Sequence, residues 1–196
     1  TVNYTFYCDR HDSGVDITTG WVAKFDGVSD TSKTLVDACD YSTPGTYTAK
    51  VIAERGSAPQ AEARAIITVG ALPDLTISAQ VNGSYQSGQT DVQIPVTVSR
   101  TGGDLTRGTY ILARLYWSTD PTWDSTDTLI WESDGSRPDF PNATLNNSGS
   151  KAVTATVNVP TVSSNGTYYI IAIANPDSFH PESDGGNNAT ADAVSV

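Results

Sequence analysis

The sequence predicts an all-β protein built as two small β-sandwiches in tandem. Three observations carry that expectation. Gly and Pro number 16 and 10, Ser, Thr, Asn and Asp are abundant, and Met is absent, a composition that favours turns and β-branched strands over helices. Short alternating apolar runs recur roughly every 10–15 residues with turn signals between them, which is the pattern of sandwiches. The pattern also restarts after "GALPDL", residues 70–75, which reads as a linker. Each half then buries its own core, giving domains 1–70 and 71–196.

In the first half, "TVNYTFYC" alternates, with Val2, Tyr4 and Phe6 on one face and Asn3, Thr5 and Tyr7 on the other. That is a half-buried strand. "ITTGWVAKFDG" is a second strand ending at a turn, with Trp21 expected in the core, and "SKTLVDACDY" a third. A Pro-Gly turn in "STPGTYTAKVIAERG" introduces the next strand, and "AEARAIITV" closes the half. The second half holds seven candidate strands: "DLTISAQV", "TDVQIPVTVSR", "GTYILARLYWS", "DTLIWES", "KAVTATVNVP", "GTYYIIAIANP" and "NATADAVSV".

Formal net charge is −11, with 13 acidic against 5 basic residues after position 70. A basic nucleic-acid footprint is missing and phosphate backbones would be repelled, so nucleic acid is excluded as a partner. No apolar run approaches the length of a transmembrane helix, so membrane insertion is not expected. Without a Met, Thr1 reads as the start of a processed or excised chain.

Six N-x-S/T sequons, at Asn3, Asn82, Asn142, Asn146, Asn165 and Asn188, join acidity and strand content in pointing outside the cell. There the two cysteines, Cys8 and Cys39, are expected to form a disulfide. Asn142, Asn146 and Asn165 are the glycosylation candidates, being placed in an insertion or beside a turn.

Two resemblances follow from particular residues. Tyr41, Pro44, Gly45, Thr46 and Tyr47 in "YSTPGTYTAKVIAERG" resemble the C-terminal half of a PKD (polycystic kidney disease) domain, whereas "WVAKFDG" keeps little of that family's W-D-F-G-D-G run. This resemblance covers residues 1–70 and implies an immunoglobulin-like spacer without chemistry. "PDLTI", "LYWSTDPTWDSTDTLI", "NVPTVSSNGTYYIIAIANP" and "PESDGGNNAT" resemble CARDB, a cell-adhesion-related domain found in bacteria. That resemblance covers 71–196, with "DGSRPDFPNA" as an insertion. Together they imply two tandem immunoglobulin-like β-sandwiches.

The chemistry-bearing stretch is "WSTDPTWDSTDTLIW", residues 117–131. In an immunoglobulin-like sandwich its loop lies at the same end as "NPDSFHPESDGGNN". Ca²⁺ takes six to eight hard oxygens at flexible geometry, and Asp120, Asp127, Asp177 and Glu182 are the candidate ligands, with Asp124 offering its carbonyl. The alternative is solvated turns, because Asp caps its own backbone in turns; in that case "ESDGGNN" is structural, held by Asn187 or Asn188.

Catalysis is not expected. His11, Asp12 and Ser13 are triad residue types, but sequence neighbours cannot adopt triad geometry. His11 and His180 with two half-cystines do not make a zinc site. Tyr47, Tyr168 and Tyr169 head strands and are candidate corner tyrosines. Trp117 and Trp131 read as core or sheet surface. Trp123, inside the acidic loop, is the tryptophan expected to be exposed, able to stack on a sugar or a neighbouring protein.

The expected function is that of a non-enzymatic extracellular structural or adhesion protein of the cell surface. It would self-associate or contact other surface proteins, and it could serve as a filament subunit. The alternative is a polysaccharide- or cell-wall-binding accessory module of a secreted enzyme. A filament would follow if the strand of residues 1–8 were an unpaired edge, since such an edge templates strand addition.

Overall fold

The computed structural model describes residues 1–11, 20–30, 32–135 and 139–196. The chain is nearly all β, with eleven strands and one short helix among the described residues. It divides into two compact units, Thr1–Ala71 and Leu72–Val196.

The first unit contains β1 (Val2–Tyr7), β2 (Ala23–Val28), β3 (Gly45–Glu54) and β4 (Ala61–Val69). They form one antiparallel sheet in the order β2-β1-β3-β4. Strand β1 is therefore interior, pairing with β2 on one side and β3 on the other. This corrects the expectation of an open edge at residues 1–8. The buried side chains of β1 are Thr5 and Tyr7, and each stands opposite a buried residue of β3, Ile52 and Lys50 respectively.

Two further expectations fail here. "SKTLVDACDY" forms no strand across residues 32–40. Asp37 sits at φ 52°, a left-handed turn conformation that breaks extended backbone, and Val36 is 72% exposed. Trp21 is not core but 49% exposed, lying just before β2 rather than within it. Asp12, Ser13 and the first residues of "ITTGWVAKFDG" fall outside the described residues.

The apolar interior of this unit is thin, so covalent and polar ties matter. Cys8 and Cys39 form the expected disulfide, with their Cα atoms 5.5 Å apart. The Tyr41 hydroxyl donates to the Cys8 carbonyl at 2.7 Å, and its ring lies 4.6 Å from that of Tyr47. Tyr47 in turn donates to the Thr43 carbonyl four residues upstream, the geometry of a tyrosine corner. Lys50 is buried and reaches Glu62 at 2.7 Å. That bond, chiefly, holds the Glu62 carboxyl below its ordinary range, with Arg64 adding to the effect.

The second unit is a two-layer sandwich. One sheet runs β11-β10-β7-β8 and the other β5-β6-β9. The strands are β5 (Pro73–Ala79), β6 (Val92–Gly102), β7 (Ala113–Ser118), β8 (Thr128–Glu132), β9 (Ser150–Val157), β10 (Thr167–Ala174) and β11 (Ala189–Ser195). All seven expected strands are present. Alternation decides the facing: Val92, Ile94, Val96 and Val98 of β6 are all buried, as are Leu75 and Ile77 of β5. The other sheet contributes Leu115, Trp117, Ile170 and Ala172 to the same core. Strand β5 stops at Ala79 for a local reason. The next residue, Gln80, donates to the Pro95 carbonyl at 2.8 Å, but proline has no N–H to return. Tyr168 repeats the corner of the first unit, donating to the Ser164 carbonyl, while its ring stacks on Trp117 at 5.2 Å.

The stretch read as an insertion supplies a core residue, Phe140, which is fully buried, as is Leu145 just after it; helix α1 (Asn142–Ser148) was not expected. Gly149 ends the helix at φ 74°, its N–H donating to the Leu145 carbonyl. Arg100 completes the cap by donating to the Leu145 and Asn146 carbonyls, placing a cation where the helix dipole is negative.

Candidate functional site

The acidic loop joins β7 to β8 and is built from its own aspartates. Asp120 accepts the Thr122 N–H at 2.8 Å. Asp124 accepts both the N–H and the hydroxyl of Thr126. Asp127 accepts the Asp124 N–H at 2.9 Å and returns its own N–H to the Asp124 carbonyl. The Asp120 and Asp124 bonds are Asx turns, in which a carboxylate replaces a backbone carbonyl as acceptor. The side-chain bond to Thr126, then the backbone one, holds the Asp124 carboxyl below its ordinary range. The linked turns present Trp123, which is 49% exposed and edges onto Tyr116 at 5.8 Å.

The second loop runs between β10 and β11, and Glu182 is its anchor. One Glu182 oxygen accepts the side-chain amides of Asn175 and Asn188. The other accepts the Leu75 N–H at 2.9 Å, tying the loop to β5 of the opposite sheet. Asn187 donates to Asp74, also on β5, and the Ser183 N–H donates to the Pro73 carbonyl. Asn175 turns the chain at φ 49°, and its amide exchanges hydrogen bonds with the backbone of His180. Asp177 is forked by Arg114, at 2.9 and 3.3 Å. Arg114 also donates to Glu132 at 2.6 Å; that bond first, and Asp177 after it, raises the guanidinium pKa further above its already high value.

The two loops do lie at one end of the sandwich. Trp123 of the first and Asn175, Ser178, Glu182 and Gly186 of the second line a single cavity of about 410 Å³. The five nominated residues nevertheless do not form a cation cage. Asp120, Asp124 and Asp127 cap their own loop, Asp177 faces a guanidinium, and Glu182 holds three N–H groups. Among the described residues, no group of three His, Cys, Asp or Glu side chains is arranged to hold a metal. The donor set therefore does not fit calcium as the sequence arranged it.

Of the sequon asparagines, Asn165 is exposed. Asn142 is buried, and its Nδ2, the atom a glycan would occupy, donates to the Arg107 and Gly108 carbonyls. Asn146 closes a two-way bond with the Leu105 backbone. Both of these sites are structural locks, against the accessibility expected of an insertion. The residues that sequence reasoning missed are Asn175 and His180. His180 is buried, with Nε2 3.0 Å from the Tyr110 carbonyl. The Asn-Pro dipeptide at 175–176 was the available signal of a turn at this place.

No helix among the described residues is long and apolar enough to cross a membrane. Among curated proteins none matches the chain significantly. A CARDB domain from Pyrococcus furiosus, crystallised in complex with di-metal ions, is 21% identical, covering 66% of this chain and 97% of its own, with a TM-score of 0.44. Its solution NMR structure gives 19% identity, 64% and 95% coverage and a TM-score of 0.43. The family model of CARDB, the cell-adhesion-related domain, matches residues 72–192, more than half of the sequence, and the chain belongs to the CARDB family.

Proposed function

We propose that the chain is a non-enzymatic extracellular protein with a structural or adhesion role at the cell surface. The observation that carries this reading is the CARDB match across residues 72–192, since domains of this family occur in bacterial surface proteins. The disulfide at Cys8–Cys39 suits an oxidising compartment. In this reading the first unit is a PKD-like spacer, its Tyr41, Pro44, Gly45, Thr46 and Tyr47 serving the corner and turn rather than a ligand. Strand exchange through residues 1–8 is not part of the proposal, because β1 is paired on both sides. Calcium is not part of it either, because Asp177 and Glu182 are committed to Arg114 and to N–H donors.

The test is retention on envelopes and polymers. The purified chain is incubated with cell envelopes and wall polysaccharides, and the pellet, the polymer size distribution and the chain's own sedimentation are measured. Retention or self-association with the polymers left intact is the expected result. Polymer cleavage overturns the non-enzymatic reading. A chain that neither sediments with any surface nor self-associates overturns the structural or adhesion role.

A further inference from the structure

The cavity between the two loops of the second unit has features that its structural ties do not explain. At about 410 Å³ it falls within the ordinary range of small-ligand sites. One wall is the half-exposed indole of Trp123, on a loop held by two Asx turns and the Asp127 carboxylate. Ser178, Glu182, Gly185 and Gly186 also line the cavity. No lysine or arginine lines it, and the unit around it is strongly acidic.

Gly185 is informative because neither conformation nor packing demands glycine there. It has no left-handed φ, and a Cβ built on it meets nothing within 4 Å. The missing side chain leaves open space at a residue that lines the cavity. Ser178 adds a second departure: it is a non-glycine residue at φ 50° on the rim, in a backbone region that such residues seldom adopt. The neighbouring cavity, lined by Tyr110, Leu112 and Phe179, is a weaker candidate. Arg107 already covers the Phe179 ring at 4.3 Å.

We propose that the Trp123 cavity is a subsite for a neutral glycan, a reading that rests on the adhesion role and names its ligand class. The apolar C–H face of a pyranose stacks on the indole, as an aromatic platform favours. Its hydroxyls meet the Ser178 hydroxyl and the lone pairs left on Glu182 and on the backbone carbonyls of the rim. The acidic surroundings select against uronates, sulfated glycans and phosphates, which are repelled at this surface. The Glu182 carboxylate, already bound to N–H donors, stays fixed, so it orients hydroxyls rather than recruits a cation.

The experiment uses the whole chain, an array of short neutral oligosaccharides of glucose, mannose, galactose and N-acetylglucosamine, and a polyuronate for comparison. Binding is followed by tryptophan fluorescence and by retention on the immobilised sugar. The variants are Trp123→Ala, Gly185→Val to fill the cavity, and Trp21→Ala, an equally exposed indole in the other unit. Binding of a neutral sugar is expected to weaken about tenfold or more in the first two variants, a loss matching one stacking contact. It is expected to be unchanged in Trp21→Ala. Melting of each variant near the native temperature keeps lost binding distinct from lost folding. No binding to any neutral sugar, preference for the polyuronate, or equal binding by Trp123→Ala and Gly185→Val overturns the proposal. If the chain still adheres to envelopes while free sugar and Trp123→Ala leave adhesion unchanged, the subsite falls and the adhesion role stands.

Discussion

The two units solve the same problem with different means. Among the described residues the first buries only Tyr7 and Ile52 as large apolar side chains, whereas the second buries whole rows from both of its sheets. A small domain that buries little apolar surface lacks the main favourable term of folding. The first unit therefore depends on a disulfide, a tyrosine corner and the Lys50–Glu62 pair. The second is stable through burial, which frees its loops to be shaped for other purposes. Exposed Trp123 and unencumbered Gly185 can exist because the sandwich beneath does not need them.

Three measurements break or sharpen that contrast. The largest effect is expected from Cys8→Ser with Cys39→Ser, or from reduction. The bridge closes a separation of 31 residues, worth about 3–4 kcal/mol on the loop-entropy account. Calorimetry should show the transition of the first unit falling steeply while that of the second stays in place. An equal shift of both transitions, or of neither, would end the view that the first unit relies on its covalent tie.

Next comes Glu182→Ala, expected to destabilise the second unit by about 2–4 kcal/mol through three lost charge-assisted bonds. Added calcium or chelator should leave the melts of the native chain superimposed, since Glu182 serves N–H donors rather than a cation. A calcium-dependent rise that disappears in Glu182→Ala would restore the cation site.

The smallest effect compares like with like. Tyr47→Phe and Tyr168→Phe each remove one corner hydroxyl from its carbonyl, worth about 1 kcal/mol. Because the midpoint shift scales inversely with unit size, the first should move by roughly 4–8 °C and the second by roughly half as much. Equal shifts would show that the units do not melt independently.

The acidic stretch shows how far sequence reasoning reaches. Three aspartates among turn formers signalled both a cation loop and self-capped turns, and the residues alone could not choose. For those three the choice was made by N–H groups two or three residues away, whereas for Glu182 and Asp177 of the second loop it was made by donors far away in sequence. The Leu75 N–H lies 107 positions from Glu182, and the Arg114 fork lies 63 positions from Asp177. Asn142 failed as an accessible sequon for the same reason, its amide being claimed by carbonyls of the 107–108 turn. In the first unit, "SKTLVDACDY" at 32–41 looked like a strand because periodicity counts side chains. It cannot see that Asp37 turns left-handed.

The sequence by itself determined the β class, all seven strands of the second unit, the corner tyrosines at 47 and 168, the cysteine pairing and the exposure of Trp123. Each of these rests on local physics: alternation of side chains across a pleat, turn chemistry, or a lone pair of thiols in an oxidising type of chain. Only the tertiary structure decided that β1 is interior, that "DGSRPDFPNA" feeds a core residue and a helix, and that Glu182 is a clamp. Those facts depend on which distant N–H, carbonyl or guanidinium arrives opposite a given atom. Partners of that kind are set by the packing of two sheets, and no local pattern encodes them.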